Sequence, residues 1–396
     1  MKLKKFSIEG FRSLKNISWE PGDLNVLIGP NGSGKSNLLR AIELLQEAGV
    51  SDLDNAIVRQ GGIGALLWDG QAQKIGWQIT VIPLGAPIFS QYLSLRYELS
   101  LLSQRFLTGY SIEREILEEC PNANAGDSLG FEYFRRDLNR AVFFHADGQN
   151  ITATPDRLEE RRTLLSQTSS VLSNQQIFLF REYLKSWRIY QDFAVHQDSA
   201  VRKSAITRRE SRLSPNGNNL VTALHTLYST ERGFRDQLID AMRAAFGSDF
   251  EELEFPPAED QRIQMRVRWK SLTRIDSAAD LSDGTLKFLM LIAILANPSR
   301  GDLVAIDEPE IYLHPSMFPV IAELAVEAAK TSQIIFTTHS PEFLTAIGTH
   351  NPITAVLQNV EGETKLNVLD QHEMKRWLEK YKLGELFVSG DLEALV

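Results

Sequence analysis

The sequence predicts an α/β fold organised around a phosphate-binding loop, with an antiparallel β-rich flank and an inserted helical lobe. Three observations predict it. A short apolar run ending at Ile28 enters a glycine-rich loop, and the residues after the loop turn apolar at helical spacing. Two later apolar runs, Leu303 to Ile306 and the "QIIFTT" segment, each deliver polar residues at their ends and then enter a new element. Between these regions, segments such as "KIGWQITVI", "YLSLRYELSLL", "GYSIEREILE" and "FEYFRRDLNRAVFF" alternate as antiparallel strands do.

Composition sets outer limits. The 396 residues are 43% hydrophobic and 23% charged, ordinary for a globular chain of two or three domains, or of one domain carrying insertions. The single cysteine, Cys120, excludes an intramolecular disulfide and fits a reducing compartment. The longest apolar run, Phe288 to Ala296, is about half the length of a membrane span. The opening "MKLKKFSIEGF" alternates like a strand and lacks the apolar core of a signal peptide. The expectation is a soluble cytoplasmic protein with no membrane partner. A net charge of -9 and a pI near 5.4 argue against wholesale coating of nucleic acid but leave room for a local basic patch.

The loop Gly29-Pro30-Asn31-Gly32-Ser33-Gly34-Lys35-Ser36 fits G-x-x-x-x-G-K-[ST] in the strand–loop–helix setting that the motif requires. Glycines let successive backbone N–H groups turn inward on phosphate oxygens, and the helix N-terminus adds its positive end. Lys35 is expected to reach the β- and γ-phosphates of ATP and Ser36 to ligate Mg²⁺, with Asn31 to Asn37 forming the cradle. The run Leu303–Ile306 then delivers Asp307 and Glu308. Paired carboxylates at a buried strand end are costly unless they serve a cation or a water. Asp307 is the expected Mg²⁺ partner, and Glu308 the residue that orients and polarises the attacking water. Glu310 reads as an exposed turn acid. At the end of "QIIFTTHSPEFL", His339 is placed to hydrogen-bond the γ-phosphate. His314, in "LHP", reads equally as a contact or as a structural residue.

A fourth stretch, "LSDGTLKFLMLIAIL" (281–295), puts Ser282 and Gly284 at the start of a buried helix. A helix N-terminus is an anion site that has no anion of its own here.

In the order P-loop, "LSDGT", acidic strand end and strand-end histidine, these elements resemble ABC-type ATPases, with "LSDGT" in place of the signature usually written LSGGQ. "GFRSL" before the loop, "NGSGKSN", "DEPEIYLHP" and "TTHSPEFL" resemble the RecF/SMC-like branch, including the ATPases of overcoming-lysogenization-defect and Septu-type defence systems. The resemblance is strongest over residues 1 to about 60 and 280 to 345. It implies an ABC-type head hydrolysing ATP with Mg²⁺. Two such heads would dimerise head to tail, so that Ser282 and Gly284 of one cover the ATP of the other. It also implies a nucleotide contact by Arg12 of the "FRS" segment, and places Gln60 of "VRQGGIG" where the family's Q-loop glutamine meets the metal. Asp283 stands where the pattern has glycine and Thr285 where it has glutamine. A carboxylate facing γ-phosphate would repel it, so Asp283 is expected to turn aside or cap the helix, with slow or partner-dependent turnover.

About 250 residues separate Lys35 from Ser282, more than a compact transporter ATPase needs. The expected division is a head segment over 1–152, a compact helical lobe over 153–248 and the rest of the head over 249–396. No heptad pattern is sustained, which excludes a long coiled coil. Phe178, Phe180 and Tyr183 fall at helical spacing and read as core. The stretch "VRKSAITRRESR", with Arg202, Lys203, Arg208, Arg209 and Arg212, reads either as a DNA phosphate contact or as a solvated loop.

The leading expectation is an ATPase coupled to DNA or to a DNA-processing partner, in repair or anti-phage defence. Only about 50 residues follow "TTHSP", too few for a Toprim nuclease domain, so a nuclease or other effector is expected on a separate chain. A transporter ATPase subunit and a nucleotide-gated scaffold with little turnover are the alternatives.

Overall fold

The computed structural model describes residues 1–50, 53–83, 93–104, 109–121, 130–144, 151–153, 158–167, 174–370 and 383–389. It divides into two compact units that interleave along the chain. The first comprises 1–22, 29–187 and 355–368, and the second 23–28, 188–354 and 369–396.

The first unit is built on an eight-stranded antiparallel sheet. Its strands run in the order Leu14–Trp19, Lys2–Phe11, Lys74–Ile82, Leu93–Gln104, Gly109–Pro121, Glu132–Asp137, Arg140–Phe143 and Ile151–Ala153. Alternation puts Phe6 and Ile8 in the core, together with Ile75, Trp77, Ile79 and Val81 of the neighbouring strand; Leu3 and Phe11 are also buried but out of step, Leu3 across an irregularity in the pairing between Leu3 and Lys5. The helix Lys35–Val50 buries Leu38, Leu39, Ile42 and Leu45, and Trp77 Nε1 of the sheet donates to its Ala41 carbonyl at 2.9 Å. On the same helix a β-carbon at Gly49 would lie 2.6 Å from a Leu184 methyl, which is how closely the helix Gln175–Ser186 packs against it. The buried Glu115 carboxylate accepts from Tyr97 Oη and from the amides of Leu164 and Leu165, so it caps the short helix Leu164–Gln167. Burial pushes this carboxyl up from its ordinary range.

The second unit holds four parallel strands in the order Arg188–Tyr190, Leu303–Ile306, Gln333–Thr338 and Leu24–Ile28. The last three are buried along their whole length, as a parallel sheet covered on both faces requires. The helix Asp283–Leu295 is buried at every position from Thr285 onward, because it is apolar all round. The helices Leu220–Thr230 and Phe318–Ala329 pack against it. Two small sheets, one of 205–206, 257–258 and 262–263 and one of 250–254, 266–269 and 276–277, complete the unit.

The expected antiparallel flank over 74–152 is present. The expected helical lobe over 153–248 is not a separate body, because the chain passes from one unit to the other at 187/188. Helical periodicity runs through "QQIFLFREYLKSWRIY", yet the helix ends at Ser186. Trp187 adopts extended angles (φ -60, ψ 145), and Arg188–Tyr190 pairs in parallel with Val304–Ile306. Tertiary pairing of Ile189 and Tyr190 overrides local helical spacing there. In the same helix Phe180 and Tyr183 are core, but Phe178 is exposed. Parts of "RLEERRTLLSQTSSVL" lie outside the described residues. Among the described residues, no helix is long and apolar enough to cross a membrane.

Candidate nucleotide site

The strand Leu24–Ile28 runs directly into the loop Gly29–Gly34, and the helix begins at Lys35. Three loop glycines have positive φ: Gly29 at 152°, Gly32 at 80° and Gly34 at 104°. At Gly34 a side chain is excluded twice over, because a β-carbon would also lie 2.2 Å from Thr364 Oγ1. A β-carbon at Gly32, by contrast, would meet nothing within 4 Å, so that side of the loop faces open space.

The loop is braced from behind by the hairpin Ile353–Val360/Glu363–Val368. Thr364 Oγ1 donates to the Ser33 carbonyl at 3.0 Å and lies 2.8 Å from Ser13 Oγ, which in turn accepts from Asn37 Nδ2 at 2.9 Å. Asn359 Nδ2 donates to the Gly32 carbonyl at 3.3 Å. Lys35 curls inward, its ammonium donating to the carbonyls of Gly29 (2.6 Å) and Pro30 (3.1 Å). Ser33 Oγ is buried with no partner among the described residues. In the same unit the Arg12 guanidinium (Arg12 has φ 49°) donates to the Gln60 carbonyl at 3.5 Å. Arg12 Nε and Gln60 Oε1 are both buried without a partner among the described residues. Burial, with Arg40 nearby, lowers the Arg12 pKa.

Within the second unit the acidic and histidine strands are neighbours in register, Ile306 opposite Phe336, and Thr338 opposite Ile28. Their C-terminal ends therefore share the sheet edge from which the phosphate loop departs. Thr337 Oγ1 donates to the Asp307 carboxylate and accepts from the Glu308 amide at 3.0 Å. Glu308, at φ 44°, turns its carboxylate to within 2.9 Å of His339 Nδ1. Glu310 is not the exposed acid expected from sequence. It is 7% exposed, one oxygen accepting from Thr338 Oγ1 and the other without a partner among the described residues. Burial raises its pKa.

At the signature segment, Ser282 Oγ caps the helix by accepting from the Thr285 amide at 3.1 Å. A β-carbon at Gly284 would lie 2.5 Å from the Tyr312 carbonyl, which places the signature glycine against the loop that follows the acids. Asp283 turns aside as expected, into an ion pair with Arg202. One turn on, Lys287 is buried with its ammonium 3.8 Å from the Phe193 ring centroid. Burial lowers its pKa to about 7 against the opposing pull of Glu310, Asp307, Asp192 and Glu308.

Residues 24–345 match a family model described as "AAA domain, putative AbiEii toxin, Type IV TA system". The chain belongs to this AAA-domain family. A curated relative, the OLD nuclease of Thermus scotoductus (strain ATCC 700910 / SA-01), is 24% identical over 353 residues. The match takes in 86% of this chain and 59% of the relative, so the chain spans well under two thirds of that protein's length. Solved structures show the same fold. An Smc head bound to the C-winged helix domain of ScpA superposes with a TM-score of 0.56 at 17% identity, covering 94% of this chain and 99% of that one. The Pyrococcus furiosus Smc head with an extended coiled coil, bound to the C-terminal domain of ScpA, gives 0.53 at 15% identity over 96% and 99%. The chain thus carries an AAA domain with the fold of Smc heads and is similar over most of its length to part of an OLD nuclease.

Several residues of this AAA-domain ATPase fall elsewhere than the sequence suggests. Of the five basic residues read as possible DNA contacts, Arg202 has its side chain 8% exposed, while Lys203, Arg208, Arg209 and Arg212 are exposed, Arg212 with its Nε donating to the Ser299 carbonyl at 2.7 Å. His314 caps the short turn Pro315–Met317, accepting from the Ser316 amide. The partners that sequence reading misses are Ser13, Thr337, Thr364, Glu310 and Lys287. Only Thr337 carried a signal, as the first hydroxyl of "TTHSP" after an apolar run.

Proposed function

We propose that this AAA-domain ATPase binds and hydrolyses ATP, that ATP closes two copies head to tail, and that hydrolysis releases them. The observation that carries the hydrolysis reading is the chain of contacts Asp307–Thr337–Glu308–His339 at the end of the parallel strands. Thr337 holds the two acids in separate roles, one oxygen serving the Asp307 carboxylate and the Glu308 amide together. Glu308 is then the base that takes a proton from water, and its contact with His339 fixes the direction of the carboxylate. His339 is the γ-phosphate contact. Lys35, Asn31 to Ser36 and Asn37 serve the phosphates, with Arg12 as an outer contact.

The donors present suit a Mg²⁺ ion. The Ser36 hydroxyl, the Asp307 carboxylate and the orphan Gln60 oxygen are hard oxygens of the kind this ion prefers. Bound there, it would neutralise charge developing on the transferred phosphoryl group. Ser282 and Gly284 cap the phosphate held by the second copy.

Coupling to DNA, or to a nuclease or other effector chain in repair or defence, is the setting that the OLD relative suggests, with Lys203, Arg208, Arg209 and Arg212 as the exposed cations for DNA.

The test is steady-state ATP turnover with nucleotide binding measured alongside. Lys35→Ala is expected to lose ATP binding. Glu308→Gln is expected to bind ATP normally while turnover falls about 100-fold or more, the usual weight of a general base. Equal turnover in Glu308→Gln and wild type would remove Glu308 from the chemistry. Stimulation by double-stranded DNA, lost on replacing Arg208 and Arg209, would support the DNA reading, and turnover indifferent to DNA would count against it.

A further inference from the structure

We propose that Arg202 is a positioning residue for the signature segment, tying residues 278–283 into one arrangement and neutralising the aspartate that stands in the signature motif. This rests on the head-to-tail reading above and deepens it.

The terminal guanidinium nitrogens, Nη1 and Nη2, are directed at this segment, while Nε holds the arginine to its own loop. Nε donates to the Val195 carbonyl at 3.0 Å, and Nη1 faces the carbonyls of Ala278 (3.4 Å), Ala279 (3.2 Å) and Leu281 (2.6 Å). Nη2 donates to the Asp283 carboxylate. The Arg202 side chain is 8% exposed and that of Asp283 46% exposed, so a buried cation is matched to a half-open anion. Only a planar fork with several donors can reach carbonyls and carboxylate together, and a lysine ammonium cannot. The arginine itself is anchored by the turn Ala200–Arg202, its amide bonding back to the Ser199 carbonyl at 3.3 Å.

The segment it holds has few other restraints. Ala278 donates to the Met265 carbonyl, and Asp280 bonds locally to Ser277. From there to the Ser282 cap, the carbonyls of Ala278, Ala279 and Leu281 go to Arg202. Two consequences follow. The extended backbone of Ser282 (φ -64, ψ 154) is held at the angle that starts the helix. The Asp283 charge, which would oppose a phosphate approaching the same N-terminus, is cancelled by a cation one hydrogen bond away. The departure from the glycine of the usual motif and the arginine 81 residues earlier are two halves of one device.

The experiment is a double-mutant cycle on the full chain, with Arg202→Met, Asp283→Gly and the double variant. It reads ATP affinity, KM, kcat and ATP-driven dimerisation by sedimentation, with Glu308→Gln as the dimer reference. Arg202→Met is expected to keep ATP affinity within about twofold, because Lys35 and its loop are untouched. Its kcat and dimer formation are expected to fall about tenfold or more, and Asp283→Gly is expected to recover most of that loss, the coupling typical of paired charges. Arg202→Lys, which keeps the cation without the fork, is expected to fall between the two. It also stands in if the methionine variant fails a thermal-melt check. Unchanged kcat and dimerisation in the Arg202 variants, or an equal loss with and without the Asp283→Gly change, overturns the proposal while leaving the head-to-tail reading in place. Absence of an ATP-dependent dimer in Glu308→Gln overturns both.

Discussion

Lys287 is the residue whose chemistry is least visible in sequence. In "LSDGTLKFLMLIAIL" it is one cation in an apolar helix, and nothing in the periodicity says that it is buried against the Phe193 ring with the strand-end acids as its charge environment. Its lowered pKa has a definite sign. The unfolded chain holds the proton up to the ordinary lysine range, while the folded chain releases it near pH 7. The cost of the buried charge is therefore complete below pH 7 and is relieved as pH rises from 7 towards 10. Lys287→Met is expected to be more stable than wild type at pH 6–7, by about 2–4 kcal/mol, since each pKa unit is worth about 1.4 kcal/mol. That advantage should shrink steadily by pH 10. Thermal melts across this range check it, and an advantage that stays flat with pH would mean that the ammonium is not buried charged. Glu310 teaches the same lesson from the opposite sign. Its place two residues after Glu308 looks like a turn, and its burial follows from Thr338 and His339 on a strand far away in sequence.

At the scale of elements, the pieces that carry their own local signal were legible: the phosphate loop with its helix, the acidic strand, the histidine strand and the signature helix. Each is a short apolar run punctuated by glycine or a charge. The strand Arg188–Tyr190 was not, because three residues at the end of a helical pattern become a strand only through pairing with Val304–Ile306. The brace behind the phosphate loop was hidden for a similar reason, since Thr364 reaches Ser33 across 331 residues of chain. This brace predicts that Gly34→Ala, whose methyl would fall on Thr364 Oγ1 at a φ that disfavours side chains, lowers ATP affinity tenfold or more, a loss of about 1.4 kcal/mol. Adding Thr364→Ser, which keeps the hydroxyl, should not restore binding, whereas Thr364→Gly should restore part of it. A titration with a fluorescent ATP analogue measures all three. Full affinity in Gly34→Ala would show that the loop does not need the approach seen here.

For the whole molecule, the order of motifs is legible in the sequence itself, because each motif carries its own local signal whatever is inserted between them. Domain division was not legible. A helical stretch reads the same whether it makes its own body or is shared, and only the long-range contacts of 175–186 and 220–246 decide that. The whole-molecule prediction concerns mass: Glu308→Gln should convert from 44.6 kDa to twice that on adding ATP, and the Lys35→Ala variant should not. Sedimentation with and without nucleotide reads this directly, and a mass unaffected by ATP in Glu308→Gln would refute the sandwich.

The strand Leu24–Ile28 belongs to the second unit although the chain on both sides of it belongs to the first. Neither unit can therefore be cut out as one continuous gene fragment. A chain begun at residue 188 would lack the strand that pairs with Gln333–Thr338, and one stopped at 187 would carry that strand with no sheet to join. The two halves are therefore expected to suit a split reporter better than separate expression, since each lacks chain that the other's compact unit needs.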